Sequence, residues 1–180
     1  MMMEKQDNNI YVKVNNEKIL LQFPKCNVET EAFIGENGVT QNKIEGDGKT
    51  LLGEFGLGNI FGMYPKYNIQ KDLHKQYNQI NKNMYWVDDV NSEHYNQLVD
   101  ITKVQKDWNS AEHLIEYPIQ YEYFIEIKIN PQNIPGKGSA VFLHCSKSNK
   151  TKGCIAVKKQ VMEEIIKNVN NETKIIIQKI

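Results

Sequence analysis

The residues best suited to chemistry are a histidine and a cysteine that stand ten positions apart near the end of the chain. His144 closes one apolar run, a polar loop follows, and Gly153 and Cys154 precede a second, short apolar run. A loop of this length allows the two runs to lie side by side, which would bring the imidazole near the thiol. A cysteine beside a histidine is the arrangement that nucleophilic acyl transfer requires.

The chemistry expected of this pair begins with removal of the thiol proton. A free thiol has a pKa of about 8.5, so the imidazole has to take the proton and hold the thiolate as half of an ion pair. Attack on a carbonyl then gives an oxyanion, which we expect the Cys154 amide to bind together with the amide of Gly153 or Lys152. The acceptor that orients His144 is left open between a main-chain carbonyl and a loop hydroxyl.

Two alternatives compete with catalysis by this pair. A histidine near a cysteine is more often a structural pair than a catalytic one. His144, Cys145 and Cys154 are also metal-ligating residue types, but adjacent strand residues point to opposite faces, and the sequence has no CxxC or HxxxH pair. We therefore expect neither a metal nor a cofactor.

Charge composition narrows the classes of partner. The 180 residues include 22 acidic and 22 basic ones, and every basic residue is Lys. A chain without net charge has no global field for polyanions, so we expect no nucleic-acid partner. The lack of Arg excludes a guanidinium clamp on a carboxylate. No apolar run is long enough for a transmembrane segment, and the first residues of this chain do not read as a signal peptide.

The elements that have to position the histidine and the cysteine are mainly strands, in a single domain over residues 1–180. Ile10 to Phe23 predicts a hairpin that turns at Asn15-Asn16, a pair that tolerates positive φ. Tyr121 to Ile129 alternates and predicts a half-buried strand. Further predicted elements are strands at 32–34, 139–145 and 173–180, a helix at 158–168, and a long ordered excursion with short helical pieces at 63–113.

Several segments resemble, in order along the chain, the L,D-transpeptidase catalytic domain family (YkuD-like). In FLHCSKSNKTKGCIAV, the catalytic His of the family and its Ser/Thr-x-Gly-Cys motif fall on His144, Thr151, Gly153 and Cys154. GDGKTLLGEFGL, from Gly46, resembles the GDGxTPxGxF segment of the family. Segments 85–96, 107–114 and 135–144 look like one branch of it, so the resemblance covers most of the chain.

The resemblance implies a β-sandwich of the L,D-transpeptidase catalytic type with peripheral helices. It also implies a peptidoglycan enzyme in which a stem tetrapeptide acylates Cys154 with loss of D-Ala, and a diamino-acid side-chain amine resolves the thioester as a 3-3 cross-link. Members that use water instead are L,D-carboxypeptidases, and a non-catalytic cell-wall-binding module is a further alternative. The implied partners are peptidoglycan stem peptides and carbapenem-type inhibitors, at an extracytoplasmic location in the periplasm or cell wall.

The substrate-binding positions depart from the family pattern. The Arg that usually helps to bind substrate carboxylates is Ala156, and the His before the Gly is Lys152, which could supply a positive point charge. His113 lies in a segment that matches the family, and the resemblance implies that it contacts the substrate. Trp86 and Tyr95 could line a groove for the stem peptide, or they could fill a satellite core under the excursion.

Overall fold

Strands make up most of the regular structure, as the sequence predicts. The computed structural model describes residues 7–69 and 72–180. Within those residues, fourteen strands form sheets of nine, three and two strands. They are accompanied by one α-helix, α1 (Lys159–Asn168), and by 3-10 helices at Pro24–Cys26, Lys66–Asn68 and Leu114–Glu116. The strands are β1 (Ile10–Val14), β2 (Ile19–Phe23), β3 (Val28–Glu31), β4 (Val39–Thr40), β5 (Thr50–Leu51), β6 (Gly53–Gly62), β7 (Tyr77–Gln79), β8 (Met84–Val87), β9 (Leu98–Asp100), β10 (Ala111–His113), β11 (Tyr123–Ile127), β12 (Phe142–Cys145), β13 (Ile155–Val157) and β14 (Lys174–Lys179).

The large sheet runs in the order β13-β12-β11-β6-β14-β1-β2-β3, with β7 paired to β6 beside this path. The predicted hairpin is present as β1 and β2, but its turn forms differently. Neither Asn15 nor Asn16 has a positive φ. Instead, the Asn15 side-chain oxygen accepts the N–H groups of Glu17 and Lys18 at 2.9 and 2.7 Å. A side-chain hydrogen-bonded turn therefore replaces the predicted positive-φ turn.

β11 and β12 separate two hydrophobic cores. Ile125 belongs to the first core, under α1, and its neighbour Phe124 belongs to the second, where it stacks on Phe61 at 4.7 Å between ring centroids. Phe124 and Ile125 are both 0% exposed. β11 is thus buried on both faces and not half-buried as predicted, because the excursion covers its second face.

The predicted helix is present as α1. Its buried residues Met162, Ile165 and Ile166 follow the spacing of an amphipathic helix and pack into the first core. α1 therefore covers one face of β11 and β12 and leaves the other face to a different part of the chain. Within the described residues, no helix has both the length and the apolar character needed to cross a membrane.

The excursion at 63–113 is built mainly from strands. β8 pairs with β9 and β10 in the three-stranded sheet, and the described part of the excursion contains the Lys66–Asn68 3-10 helix as its helical piece. Aromatic residues favour strands. Trp86 of β8 packs on Phe142 of β12, with 4.8 Å between the ring centroids. The three-stranded sheet thus covers the second core and reaches the face of β12 that carries His144.

Candidate active site

A parallel strand pair brings His144 and Cys154 together. β12 contains His144, and β13 begins directly after Cys154, with His144 in register with Ala156. Side chains alternate along a strand, so Cys154 and Ala156 share one face. His144 and Cys154 therefore lie on the same face of neighbouring strands, offset by two residues.

Two adjoining clefts meet at Cys154. We name them the histidine cleft, of about 450 Å³, and the acidic cleft, of about 390 Å³. Both are lined by Glu36, Glu112, Lys152 and Cys154. The lining of the histidine cleft also includes Tyr117, Tyr121, His144, Lys147, Lys150, Thr151 and Ala156, and that of the acidic cleft Lys43, Glu45, Asp88, Ser139, Ala140 and Gly153.

The Cys154 thiol is held by the backbone that leads into β12. Its sulfur donates to the Ala140 carbonyl and accepts the Phe142 N–H, both at 3.3 Å. Ala140 has a φ of 50°, a left-handed conformation that is uncommon outside glycine. Burial, together with the negative charge of Glu112, raises the pKa of the Cys154 thiol to about 12. The cysteine at rest is therefore a protonated thiol.

The His144 imidazole is 7% exposed and is oriented by the main chain. Its Nδ1 lies 2.8 Å from the Cys145 carbonyl oxygen, which can only accept, so Nδ1 carries the hydrogen and Nε2 a lone pair. The structure thus selects the main-chain carbonyl over a loop hydroxyl. Burial lowers the pKa of His144. Burial thus favours the neutral form of both the thiol and the imidazole over the ion pair expected from the sequence.

Thr151 and Gly153 shape the turn that leads to Cys154. The Thr151 hydroxyl donates to the Cys154 carbonyl at 2.7 Å and accepts the Gly153 N–H at 3.1 Å. Gly153 has a φ of 141°, and a Cβ atom at this position would lie 2.9 Å from the Lys49 carbonyl oxygen. The buried Thr50 hydroxyl also donates to the Gly153 carbonyl at 2.9 Å. The turn thus fixes the backbone on both sides of the thiol.

The turn of the GDG segment packs against the backbone around Gly153. The Asp47 carboxylate accepts the backbone N–H groups of Ile44 and Lys49 at 3.0 and 2.8 Å. It also pairs with the ammonium group of Lys43, which donates to the Lys49 carbonyl at 2.8 Å. These contacts lower the pKa of Asp47 despite the opposing effect of burial. The charge of Lys43 is thus neutralised locally.

Comparison with known proteins decides the family. The family model of the L,D-transpeptidase catalytic domain, YkuD, matches residues 2–177. The chain belongs to the YkuD family. The predicted resemblance and the predicted fold class, a mainly β fold of the L,D-transpeptidase catalytic type, are thereby confirmed.

Solved structures align with this chain at low sequence identity. The helical cell shape determining protein Pgp2 of Campylobacter jejuni, in a mutant form, aligns with 98% of this chain and 48% of its own, at 13% identity and a TM-score of 0.51. A second structure of Pgp2 aligns with 95% of this chain and 47% of its own, at 12% identity and a TM-score of 0.47. Bd1075 of Bdellovibrio bacteriovorus aligns with 98% and 50%, at 13% identity and a TM-score of 0.43. This chain spans about half the length of these proteins. No curated protein matches the sequence.

The cationic residues at the rim of the histidine cleft differ from the family pattern. Ala156, at the position of the usual Arg, lines the histidine cleft opposite His144. Lys152 has a side chain that is 85% exposed and pairs with Glu36, as Lys150 does at 3.7 Å. Lys147 lines the same cleft and makes no ion pair with any described residue.

Trp86 and Tyr95 lie in the protein interior. They are 4% and 2% exposed, and neither is among the described residues that line the two clefts. Trp86 belongs to the second core, and the Tyr95 hydroxyl donates to Glu45 and accepts the Gly138 N–H at 3.0 Å. The packing therefore favours the alternative in which these residues fill a core. Neither residue has surface at the two clefts for the predicted groove-lining role.

His113 also lies away from the cleft walls that the described residues form. Its ring stacks on Tyr85 at 4.2 Å, and its Nε2 lies 2.8 Å from the Lys82 carbonyl. Adjacent strand residues point to opposite faces, so it is the neighbouring Glu112 that reaches the clefts.

Sequence reasoning missed three residues of the site, namely Glu112, Asp88 and Tyr121. The Tyr121 hydroxyl donates to Glu112, and the Tyr121 ring lies edge-on to His144 at 5.9 Å. Burial, together with the charges of Asp88 and Glu45, raises the pKa of Glu112 to about 7. The available signal was the strand alternation in AEH, which puts Glu112 and His113 on opposite faces.

Proposed function

We propose that this chain is a peptidoglycan L,D-transpeptidase in which Cys154 is the nucleophile and His144 the general base. The observation that supports this proposal is the placement of both side chains on one face of paired strands, at the wall of one cleft. The hydrogen bond from Nδ1 to the Cys145 carbonyl leaves Nε2 of His144 ready to accept the thiol proton.

The proposed reaction has two acyl-transfer steps. As the sulfur attacks the stem-peptide carbonyl, Nε2 of His144 takes the thiol proton, and the resulting imidazolium passes it to the departing D-Ala amine. The amine of a second stem peptide then attacks the thioester, so that an amide bond forms, the carbon–sulfur bond breaks and the thiol is restored. Because burial favours the neutral thiol and the neutral imidazole, we assign proton transfer to the moment of attack.

Backbone amides at the turn complete the proposed site. The Gly153 N–H already donates to Thr151, so we assign the oxyanion to the amides of Cys154 and Lys152. Gly153 and Thr151 act as positioning residues, because their contacts fix the turn and not the substrate.

A lysine in place of the usual arginine is proposed to meet the carboxylate of the donor peptide. Lys147 suits this role better than Lys152, because Lys152 already pairs with Glu36 whereas Lys147 has no ion-pair partner among the described residues. A lysine contributes a single point charge, so carboxylate recognition is expected to be weaker than with a bidentate arginine. The substrate, peptidoglycan, places the proposed activity outside the cytoplasmic membrane.

The proposed function is tested by incubating the protein with disaccharide-tetrapeptide muropeptides and analysing the products by mass spectrometry. Cross-linked dimers that contain a 3-3 bond are expected, and their formation should disappear in Cys154→Ala. The matched control is Cys26→Ala, because Cys26 is a free thiol that packs at the edge of the first core. Tripeptides without dimers would instead assign an L,D-carboxypeptidase, and unchanged muropeptides would favour a wall-binding module.

A further inference from the structure

The acidic cleft contains negative charge that no cation of the described residues neutralises. Its Glu36 pairs with Lys150 and Lys152, and its Lys43 pairs with Asp47. The three remaining carboxylates make no ion pair within residues 7–69 and 72–180. These three are Glu45, Asp88 and Glu112.

The hydrogen bonds of these carboxylates separate one structural group from two available ones. Glu45 accepts the hydroxyl groups of Tyr95 and Ser139, the latter at 2.8 Å, and so holds two segments together. Glu112 accepts one hydroxyl, from Tyr121. Oδ1 of Asp88 is buried and has no hydrogen-bond donor among the described residues.

Asp88 and Glu112 are placed together by the three-stranded sheet. Glu112 of β10 is in register with Trp86 of β8, and Asp88 comes directly after β8, two residues past Trp86, so that continued alternation puts both carboxylates on the same side of the sheet. Both line the acidic cleft beside Cys154. An unpaired, buried carboxylate oxygen is unfavourable unless a donor meets it.

We propose that Glu112 and Asp88 bind the primary ammonium group of the substrate next to the Cys154 sulfur. This inference rests on the proposed function, in which an amine has to approach the thioester. An ammonium group offers three N–H donors and one positive charge. These match two carboxylates that have no cationic partner and acceptor oxygens to spare. The histidine cleft would then hold the acyl donor, and the acidic cleft would hold the acceptor as its ammonium. Before attack the ammonium gives one proton to the Glu112 carboxylate, and the second proton that the nitrogen loses on forming the amide returns through His144 to the Cys154 sulfur.

The ionisation of Glu112 agrees with this assignment. Burial and the neighbouring carboxylates raise the pKa of Glu112 to about 7, and a bound ammonium would lower this pKa again. Binding of the ammonium is therefore expected to strengthen as the pH rises through about 7. The other titratable groups that interact with Glu112 are Glu45, Asp88, Tyr117, Tyr121 and Cys154, and Glu36, Lys43 and Lys152 line the acidic cleft with it.

The first experiment measures the charge preference of the cleft without reference to enzyme activity. Cys154 is modified with 2-aminoethyl methanethiosulfonate, a cation, and with 2-sulfonatoethyl methanethiosulfonate, an anion. In each reaction the thiolate forms a mixed disulfide and methanesulfinate leaves. The Cys26→Ala background removes the second reachable thiol, since Cys145 is only 2% exposed. The rate constant of Cys154 with each reagent is divided by the rate constant of 2-mercaptoethanol with the same reagent. The ratio of the normalised rate constant for the cation to that for the anion is then compared between variants.

We expect the ratio to fall about 3- to 10-fold in Glu112→Gln and in Asp88→Asn, as the loss of one charge near the sulfur predicts. A change in the pKa of Cys154 alters both rates equally and cancels in the ratio. Glu116→Gln is the matched control, because its side chain is 68% exposed and pairs with His113 outside the clefts. A ratio that stays unchanged in both cleft variants would overturn the proposal.

The second experiment separates this inference from the proposed function. In muropeptide assays, Glu112→Gln and Asp88→Asn are expected to raise the KM for the amine acceptor several-fold and to leave the KM for the acyl donor near its wild-type value. A rise in the donor KM alone would contradict the assignment to the acceptor. If the wild-type protein forms no product while the reagent ratio still falls in the variants, the proposed function fails and the ammonium site stands.

Discussion

Thr50→Val tests how the turn before Cys154 is held. The Thr50 hydroxyl accepts the Gly35 N–H and donates to the Gly153 carbonyl, each at 2.9 Å, and Thr50 is 1% exposed. Valine has nearly the same shape but leaves both backbone groups buried without a partner. Each unsatisfied buried group costs about 1–3 kcal/mol, so the free energy of unfolding should fall by roughly 2–6 kcal/mol.

Urea unfolding at constant pH measures this change, with Thr30→Val as the matched control. Thr30 lies on the edge strand β3, and its hydroxyl donates to the neighbouring Glu31 carbonyl at 3.2 Å. The control should change stability by less than about 0.5 kcal/mol. If Thr50→Val cost no more than the control, the two hydrogen bonds would not hold the turn, and the reasoning about Gly153 would be wrong.

Three further predictions concern the site. Glu112→Gln should flatten the pH dependence of stability, because the pKa of the Glu112 carboxyl is raised from 4.5 to about 7, so that its stabilisation of the fold is complete below pH 4.5 and up to roughly 3 kcal/mol of it is lost as the pH rises through 7. Urea unfolding at pH 5 and pH 8.5 measures this change, and a variant with the same pH dependence as the wild type would contradict it. Gly153→Ala should reduce carbapenem acylation at least 10-fold, since its Cβ would lie 2.9 Å from the Lys49 carbonyl; acylation at the wild-type rate in stopped-flow measurements would contradict the tight turn. Lys147→Ala should raise the donor KM several-fold in the muropeptide assay with little change in kcat, and Lys150→Ala, whose lysine pairs with Glu36, should have the smaller effect.

Local patterns predicted the elements that carry the proposed nucleophile and base. Alternation at β11 and helical spacing at α1 are properties of short segments, and the motif around Cys154 lies within one loop. The fold class therefore followed from the sequence. The turn of the first hairpin was predicted for the right residues with the wrong mechanism, because an asparagine side chain can form a turn by hydrogen bonding as well as by positive φ.

Features that depend on contacts between distant segments could not be predicted. Glu112 and Asp88 approach Cys154 only through the packing of the three-stranded sheet on β12. Their neighbours Trp86 and His113 attracted attention because aromatic and imidazole groups suggest binding. The sequence alone does not show which face of β8 and β10 the large sheet covers, and this face decides whether Glu112 or His113 reaches the clefts.

The most direct measurement of the central claim is the mass of the intact protein after incubation with a carbapenem. Opening of the β-lactam ring by the Cys154 sulfur should add one inhibitor mass, and peptide mapping should place it on Cys154. The adduct should persist in Cys26→Ala, disappear in Cys154→Ala and form at least 10-fold more slowly in His144→Gln. An adduct on another residue, or His144→Gln that reacts at the wild-type rate, would contradict the pairing of this imidazole with this thiol.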